Sequence, residues 1–221
     1  MLLRSLCLTS ALALTAGHAA AEMNFNRIAS FPVVKNMADG EDSNRETSPE
    51  IIAATADGMT LAYTDSPLGA LGLVDITDAA NPQPLGNIDL GGEPTSVGII
   101  GNTAFVGVNT SQSYTAPSGH LAAIDLTTKT ELARCDLGGQ PDSIAVAPDA
   151  SFVSVAIENE RDEDLNDGVM PQMPAGNLVM VGLNDGALDC AAIQMVDLIG
   201  LAAVAPSDPE PEYVSINNLG E

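Results

Sequence analysis

The 221-residue chain carries 30 acidic and 7 basic residues, a formal net charge of -23, and 45% of its residues are hydrophobic. The charge repels nucleic-acid phosphates, so we expect no nucleic-acid partner, and the apolar share suffices for a packed core, which argues against intrinsic disorder. With 20 Gly, 14 Pro and no Trp, the composition favours short strands joined by turns.

Residues 1–21 have the pattern of a cleaved export signal. Arg4 provides a positive start, residues 6–16 form an apolar run too short to span a bilayer, and alanines 19–21 make a small-residue cleavage site before Glu22. We therefore predict a periplasmic or extracellular protein with no membrane span. The alternative is an uncleaved anchor.

The body of the chain is a repeat in which a proline leads each unit. The guiding prolines are Pro49, Pro94, Pro141 and Pro211, which lie 45, 47 and 70 residues apart. A period near 45 residues is typical of a β-propeller blade, and the longest interval is one blade with an insertion. Each unit divides into four strand-like runs, of which the third recurs as GLVDIT, AAIDLT and VMVGLN.

These patterns predict an all-β, propeller-type fold of four-stranded blades. We place blades at 49–90, 95–137 and 142–198, and the start of a fourth at 211, so that about three and a quarter blades make up an incomplete ring. Residues 22–48 are expected to form a linker and an outer strand, the strand in the run FNRIASFPVV at 25–34. We expect the remaining blades in a longer parent chain; the alternative is an open fan of sheets that is complete as it stands.

The long insert of the third unit, residues 158–176, is strongly acidic. It holds six carboxylates around Arg161, and hard oxygen ligands of this kind suit Ca²⁺ or Mg²⁺. Its spacing imitates the start of an EF-hand loop, but Asp167 and Met173 replace the required Gly and Glu, so it is not an EF-hand. Propeller topology puts the insert on one rim with the inter-blade turns, which add Glu93 and Asp142.

We predict a calcium site on this rim, the alternative being a solvated acidic loop with no ion. The expected metal contacts are Glu160, Asp162, Asp164, Asn166 and Asp167, with Glu210 and Glu212 as more distant contacts across the rim.

Catalytic constellations are few. His120 is the one histidine outside the signal, which excludes a histidine metal cluster, and no G-x-S-x-G elbow accompanies it. We interpret it as a strand-edge residue, and the catalytic residues stay unassigned. Cys135 and Cys190 are expected on outer strands of neighbouring units, where they form either a disulfide or two small buried thiols.

Five runs carry a resemblance to a known family: GGEPTSVGI, NTSQSYTAPSGHLAAIDL, GGQPDSIAVAPD, AIENERDEDLNDG and DPEPEYVSIN. They resemble the N-terminal propeller of the secreted esterase-like activity of phytase family, which is similar to the choice-of-anchor I propellers, sometimes labelled alkaline phosphatase-like. The resemblance covers 49–221. It implies an exported propeller module of a phosphoester hydrolase, with a small-molecule or phosphate-ester ligand and with the hydrolase assigned mainly to a later region.

Two other functions stay open from the sequence. One is a non-catalytic extracellular binding or adhesion propeller, in which calcium would be structural. The other is a truncated fragment without function of its own.

Overall fold

The computed structural model describes residues 26–198, 200 and 207–220, so the predicted export signal at 1–21 lies outside the described residues. The described part contains three antiparallel sheets of four strands each, in which sequential strands are neighbours. The first sheet comprises β1 (Pro49–Ala54), β2 (Thr60–Asp65), β3 (Ala70–Asp75) and β4 (Gln83–Asp89). The second comprises β5 (Glu93–Ile100), β6 (Thr103–Asn109), β7 (Gly119–Asp125) and β8 (Thr130–Asp136). The third comprises β9 (Pro141–Val146), β10 (Phe152–Ile157), β11 (Asn177–Asn184) and β12 (Ala187–Asp197).

The three sheets pack side by side as blades. Along the inner side, β5 contacts both β1 and β9, and on the outer side β8 contacts β12. One hydrophobic core, around Leu73 and Val106, fills the space between the first two sheets, and a second, around Phe105 and Val155, fills the space between the second and third. The all-β propeller-type fold is confirmed, and the three described sheets do not close into a ring. No helix in the described residues has the length and apolarity needed to cross a membrane.

The outer strand at 25–34 is predicted to complete a last blade, and the described residues contain no such blade for it to pair with, so it stays a prediction. Residues 26–32 form no strand, and a 3-10 helix follows at Val33–Asn36. Its last residue, Asn36, is buried and donates from its side-chain amide to the Tyr63 hydroxyl and to the Leu73 carbonyl, both at 2.9 Å. The same side chain accepts a hydrogen bond from the Gly86 N–H at 3.0 Å. The pairing of β3 with β4 shifts register beside Leu73, and Asn36 satisfies backbone groups that the sheet leaves unpaired there. The N-terminal segment is therefore held to the first sheet by the Asn36 side chain and not by strand pairing.

A fourth blade is predicted to begin at 211, and residues 211–217 carry no strand. Pro211 nevertheless sits where a new unit begins. A Cβ added at Gly176 would lie 2.4 Å from Pro211 Cδ, just as one at Gly119 would lie 2.2 Å from Pro141 Cδ. The turn into the next unit is therefore formed, while a strand needs a ladder partner that the described residues do not supply.

The structure resolves the cysteine alternatives in favour of a disulfide. Cys135 on β8 and Cys190 on β12 are bonded, with their Cα atoms 5.3 Å apart. The outer strands of these neighbouring blades thus approach closely enough for a bridge.

Candidate functional site

An acidic cavity of about 220 Å³ opens on the inner side of the three sheets. We define the acidic cavity by its lining residues: Glu50, Ser66, Glu93, Thr95, Asn109, Gln140, Asp142, Glu158 and Glu160. All three units contribute to this lining, so the cavity exists only because the sheets are packed together.

The repeat explains why these residues meet. The residue after each of the first three guiding prolines lines the cavity, namely Glu50, Thr95 and Asp142. The ladders pair the three prolines with Asp65, Val108 and Ile157. The next residues, Ser66, Asn109 and Glu158, also line the cavity. Equivalent positions of three repeats therefore converge on one point, as expected for loops at one end of a propeller.

The cavity concentrates negative charge. Burial, reinforced by the charges of Asp142 and Glu160, raises the pKa of Glu158 to about 7. Burial also raises the pKa of Asp142, with the charges of Glu212 and Glu160 adding to the effect. None of the described residues that line the cavity is basic. The carboxylates have neutral hydrogen-bond donors nearby, such as Gln140 Nε2, which donates to Glu160 Oε2 at 3.4 Å.

The insert leaves the cavity edge and is anchored by its one arginine. Arg161 Nε lies 3.0 Å from Asp208 Oδ2, and Arg161 Nη1 lies 2.5 Å from Glu210 Oε2. The Arg161 backbone N–H also donates to Glu210 Oε1 at 2.6 Å. Since the Asp208 side chain is only 1% exposed, this ion pair fixes residues 207–210 against the base of the insert.

A pair of hydrogen bonds between Asp162 and Gln172 joins the two arms of the insert; we call it the clamp. The Asp162 N–H donates to Gln172 Oε1, and Gln172 Nε2 donates to the Asp162 carbonyl, both at 2.9 Å. The Gln172 N–H donates to Asp208 Oδ2 at 2.7 Å. The two arms of the insert are thus tied together and to the chain that follows the third sheet.

The metal contacts expected from the sequence lie in different local settings. Glu160 lines the acidic cavity, whereas Asp162 Oδ1 accepts the Asp164 N–H at 2.9 Å. Asn166 and Asp167 lie in a 3-10 turn, Leu165–Gly168, with left-handed φ values of 51° and 57° and exposed side chains. Glu210 is engaged by Arg161 as described above. Glu212 is exposed and lies near Asp142.

Among the described residues, no three His, Cys, Asp or Glu side chains are already arranged to hold a metal ion. The calcium assignment stays a prediction. Sequence reasoning placed Glu93, Asp142 and Glu158 on the rim but missed Glu50, although its position directly after a guiding proline was a usable signal.

His120 is the second residue of β7 and is buried, with no hydrogen-bond partner for its Nε2 atom. Burial, followed by the charge of Arg134, lowers its pKa, so the imidazole is neutral at pH 7. Its position gives no support to a role as a general base.

Three blade-like sheets with an acidic cavity at their inner side define this chain as a β-propeller-type domain. The profile of the choice-of-anchor I domain matches residues 50–221, and the chain belongs to this family, a β-rich domain of extracellular type. No curated protein matches the chain.

Two solved structures illustrate the fold. A putative 6-phosphogluconolactonase from Bacteroides uniformis is similar at 13% identity with a TM-score of 0.55, over 79% of this chain and 46% of that one. Hydrazine synthase of Kuenenia stuttgartiensis is similar at 16% identity with a TM-score of 0.51, over 67% of this chain and 37% of that one. At such identities the likeness concerns the fold alone. The chain spans less than half the length of either structure.

Proposed function

We propose that this chain is an exported propeller module that binds a divalent cation, Ca²⁺, in its acidic cavity. The observation that carries the proposal is the convergence of five carboxylates from three repeat units on one cavity whose described lining contains no basic residue. Such charge density is unfavourable unless a cation or solvent neutralises it.

Calcium fits the ligand chemistry of this lining. It takes six to eight oxygen ligands at about 2.3–2.6 Å in flexible geometry, and carboxylate, amide and hydroxyl oxygens all line the cavity. Exposed side chains such as Glu50 and Glu93 would have to turn inward to complete a coordination shell. Glu158 would contribute most above pH 7, where its carboxyl is ionised.

Export is supported by the signal pattern at 1–21 and by the Cys135–Cys190 disulfide, because disulfides persist in oxidising compartments. We further assign the module to a phytase-like phosphoester hydrolase, on the five runs that resemble that family. A phosphate could approach this carboxylate-lined cavity only through a bound cation, which would bridge the two sets of oxygens. The alternative is an extracellular binding or adhesion module in which the cation is structural.

The test is thermal unfolding, followed by circular dichroism, with millimolar Ca²⁺ and with a chelator. A ligand that binds only the native state raises the free energy of unfolding by about 2.7 kcal/mol when present at a hundredfold excess over Kd. We expect a Ca²⁺-dependent rise in Tm that the double variant Asp142→Asn with Glu158→Gln loses. Glu46→Gln, which removes an exposed carboxylate outside the cavity, is the matched control and should keep the rise.

The triple variant Asp162→Asn, Asp164→Asn and Asp167→Asn separates the cavity from the insert. Loss of the rise in this variant alone would place the ion on the insert, and no rise in the wild type would overturn the cation proposal. Inorganic phosphate is then titrated calorimetrically with and without Ca²⁺, and hydrolysis of p-nitrophenyl phosphate is measured. Cation binding without phosphate binding would favour the binding or adhesion module.

A further inference from the structure

The outer end of the insert exposes several large apolar side chains. Val169 is 64% exposed, Met173 60% and Met170 52%. Leu165 of the same insert is 36% exposed, and Tyr114 on the neighbouring loop of the second unit is 47% exposed. We call these five residues the apolar tip. Contiguous exposed apolar side chains on a surface that is otherwise polar mark interaction sites.

A cavity of about 180 Å³ lies between the two loops beside the apolar tip. Tyr114 lines it on one side and Leu165, Val169 and Met173 on the other. Polar residues complete the lining, among them Asn159, Glu160, Asn166 and Gln172. Methionine and tyrosine are favoured at binding surfaces, because methionine adapts its shape and tyrosine supplies contact area with little loss of conformational entropy.

The exposure does not come from a loosely held loop. The clamp between Asp162 and Gln172 joins the two arms below the tip, and Arg161 fixes the base to Asp208 and Glu210. The apolar side chains are thus presented on a framework that is already ordered before a partner arrives, which lowers the entropic cost of binding.

The charge around the apolar tip selects the partner. Asp162, Glu163, Asp164 and Asp167 lie on the same insert. Its one basic residue, Arg161, is already engaged by two carboxylates. This surrounding charge repels a second copy of the chain and an anionic membrane, and it attracts a positively charged segment.

We propose that the apolar tip is a docking surface for a basic protein segment that inserts an apolar side chain between Tyr114 and the insert. Lys and Arg side chains of that segment pair with the insert carboxylates around the inserted residue. The interaction needs no bound metal, so its test is independent of the proposed cation site.

The probe is a synthetic peptide with one leucine flanked on each side by three lysines, titrated against the whole chain by fluorescence anisotropy. We expect binding that weakens with added NaCl and that Met173→Ser or Val169→Ser weakens about tenfold. Met195→Ser is the matched control, since Met195 on β12 is equally exposed, at 62%, but lies outside the apolar tip. Binding should persist in the presence of a chelator.

Two peptide controls separate docking from general attraction to an acidic protein. Replacing the leucine with serine should cost about as much affinity as Met173→Ser, and replacing the lysines with glutamates should abolish binding. Equal affinity for the leucine and serine peptides, or no measurable binding of the leucine peptide, would overturn the proposal. So would binding to phosphatidylcholine vesicles, or self-association in sedimentation, that Met173→Ser abolishes, since these results would assign the apolar tip to a membrane or to a second copy.

Discussion

Cys135 and Cys190 covalently join β8 to β12, the outer strands of two neighbouring sheets. The sequence separation is 55 residues. Loop-closure entropy for such a ring predicts a contribution of about 4 kcal/mol to the free energy of unfolding. We expect Cys190→Ser to lower stability by roughly this amount in urea titrations.

A reducing agent supplies the control for this disulfide. It should destabilise the wild type and leave Cys190→Ser unchanged. A wild type whose unfolding midpoint does not respond to reduction would show that the bridge adds nothing to stability.

Removal of Arg161 should weaken the attachment of residues 207–210. Arg161→Ala leaves the carboxylate of Asp208 buried and without its cation, which costs about 3 kcal/mol in comparable buried pairs. The double variant Arg161→Ala with Asp208→Asn removes the orphaned charge and should be less destabilised than Arg161→Ala alone. Chemical denaturation measures both, and equal losses would contradict a role for the buried charge.

The raised pKa of Glu158 makes stability depend on pH. The folded state holds a proton that the unfolded chain releases, so the free energy of unfolding falls as the pH rises from about 4.5 to about 7. With solvent screening taken into account, the loss from this half-buried group is on the order of 1 kcal/mol. Glu158→Gln should flatten this part of the pH profile and be more stable than the wild type at pH 8 without Ca²⁺.

The same titration couples to the proposed cation. Because Glu158 is ionised mainly above pH 7, the rise in Tm caused by Ca²⁺ should be larger at pH 8 than at pH 5.5. A Ca²⁺ effect of equal size at both values would argue against a contribution from Glu158.

Although the residues around Asn36 are mostly exposed, we predict that Asn36 contributes strongly to the free energy of unfolding. Asn36→Leu removes three hydrogen bonds and leaves the Leu73 carbonyl and the Gly86 N–H without their partner. We expect a loss of about 2–3 kcal/mol in thermal or urea unfolding. Asn44→Ala, at an exposed asparagine whose bonds are local, is the control and should cost far less.

The sheets could be predicted from the sequence because each repeat unit contains the same four strand-like runs. The runs GLVDIT, AAIDLT and VMVGLN overlap with β3, β7 and β11, whose side chains pack against neighbouring sheets. The N-terminal segment could not be predicted in the same way. Its position depends on Asn36 reaching backbone groups of Leu73 and Gly86, and no local pattern encodes a contact over such a separation.

In the candidate site too, the part formed by repeat positions could be predicted and the part that depends on a long-range contact could not. The repeat positions could have predicted the acidic cavity, since Glu50, Asp142 and their equivalents follow the guiding prolines. The insert could not, because its shape depends on Arg161 meeting Asp208, 47 residues further along the chain. The sequence pattern alone does not encode that long-range contact, and the metal contacts predicted on the insert stay a prediction.

The second sheet is sandwiched between two hydrophobic cores, while the described residues show a single core on each of the first and third sheets. In an array of this kind, opening begins at the ends and reaches the centre last. Amide hydrogens of β6 and β7 should therefore exchange with solvent only through global unfolding, and those of β1 through smaller, local openings. The order of exchange along the chain would then report the strength of each contact between blades.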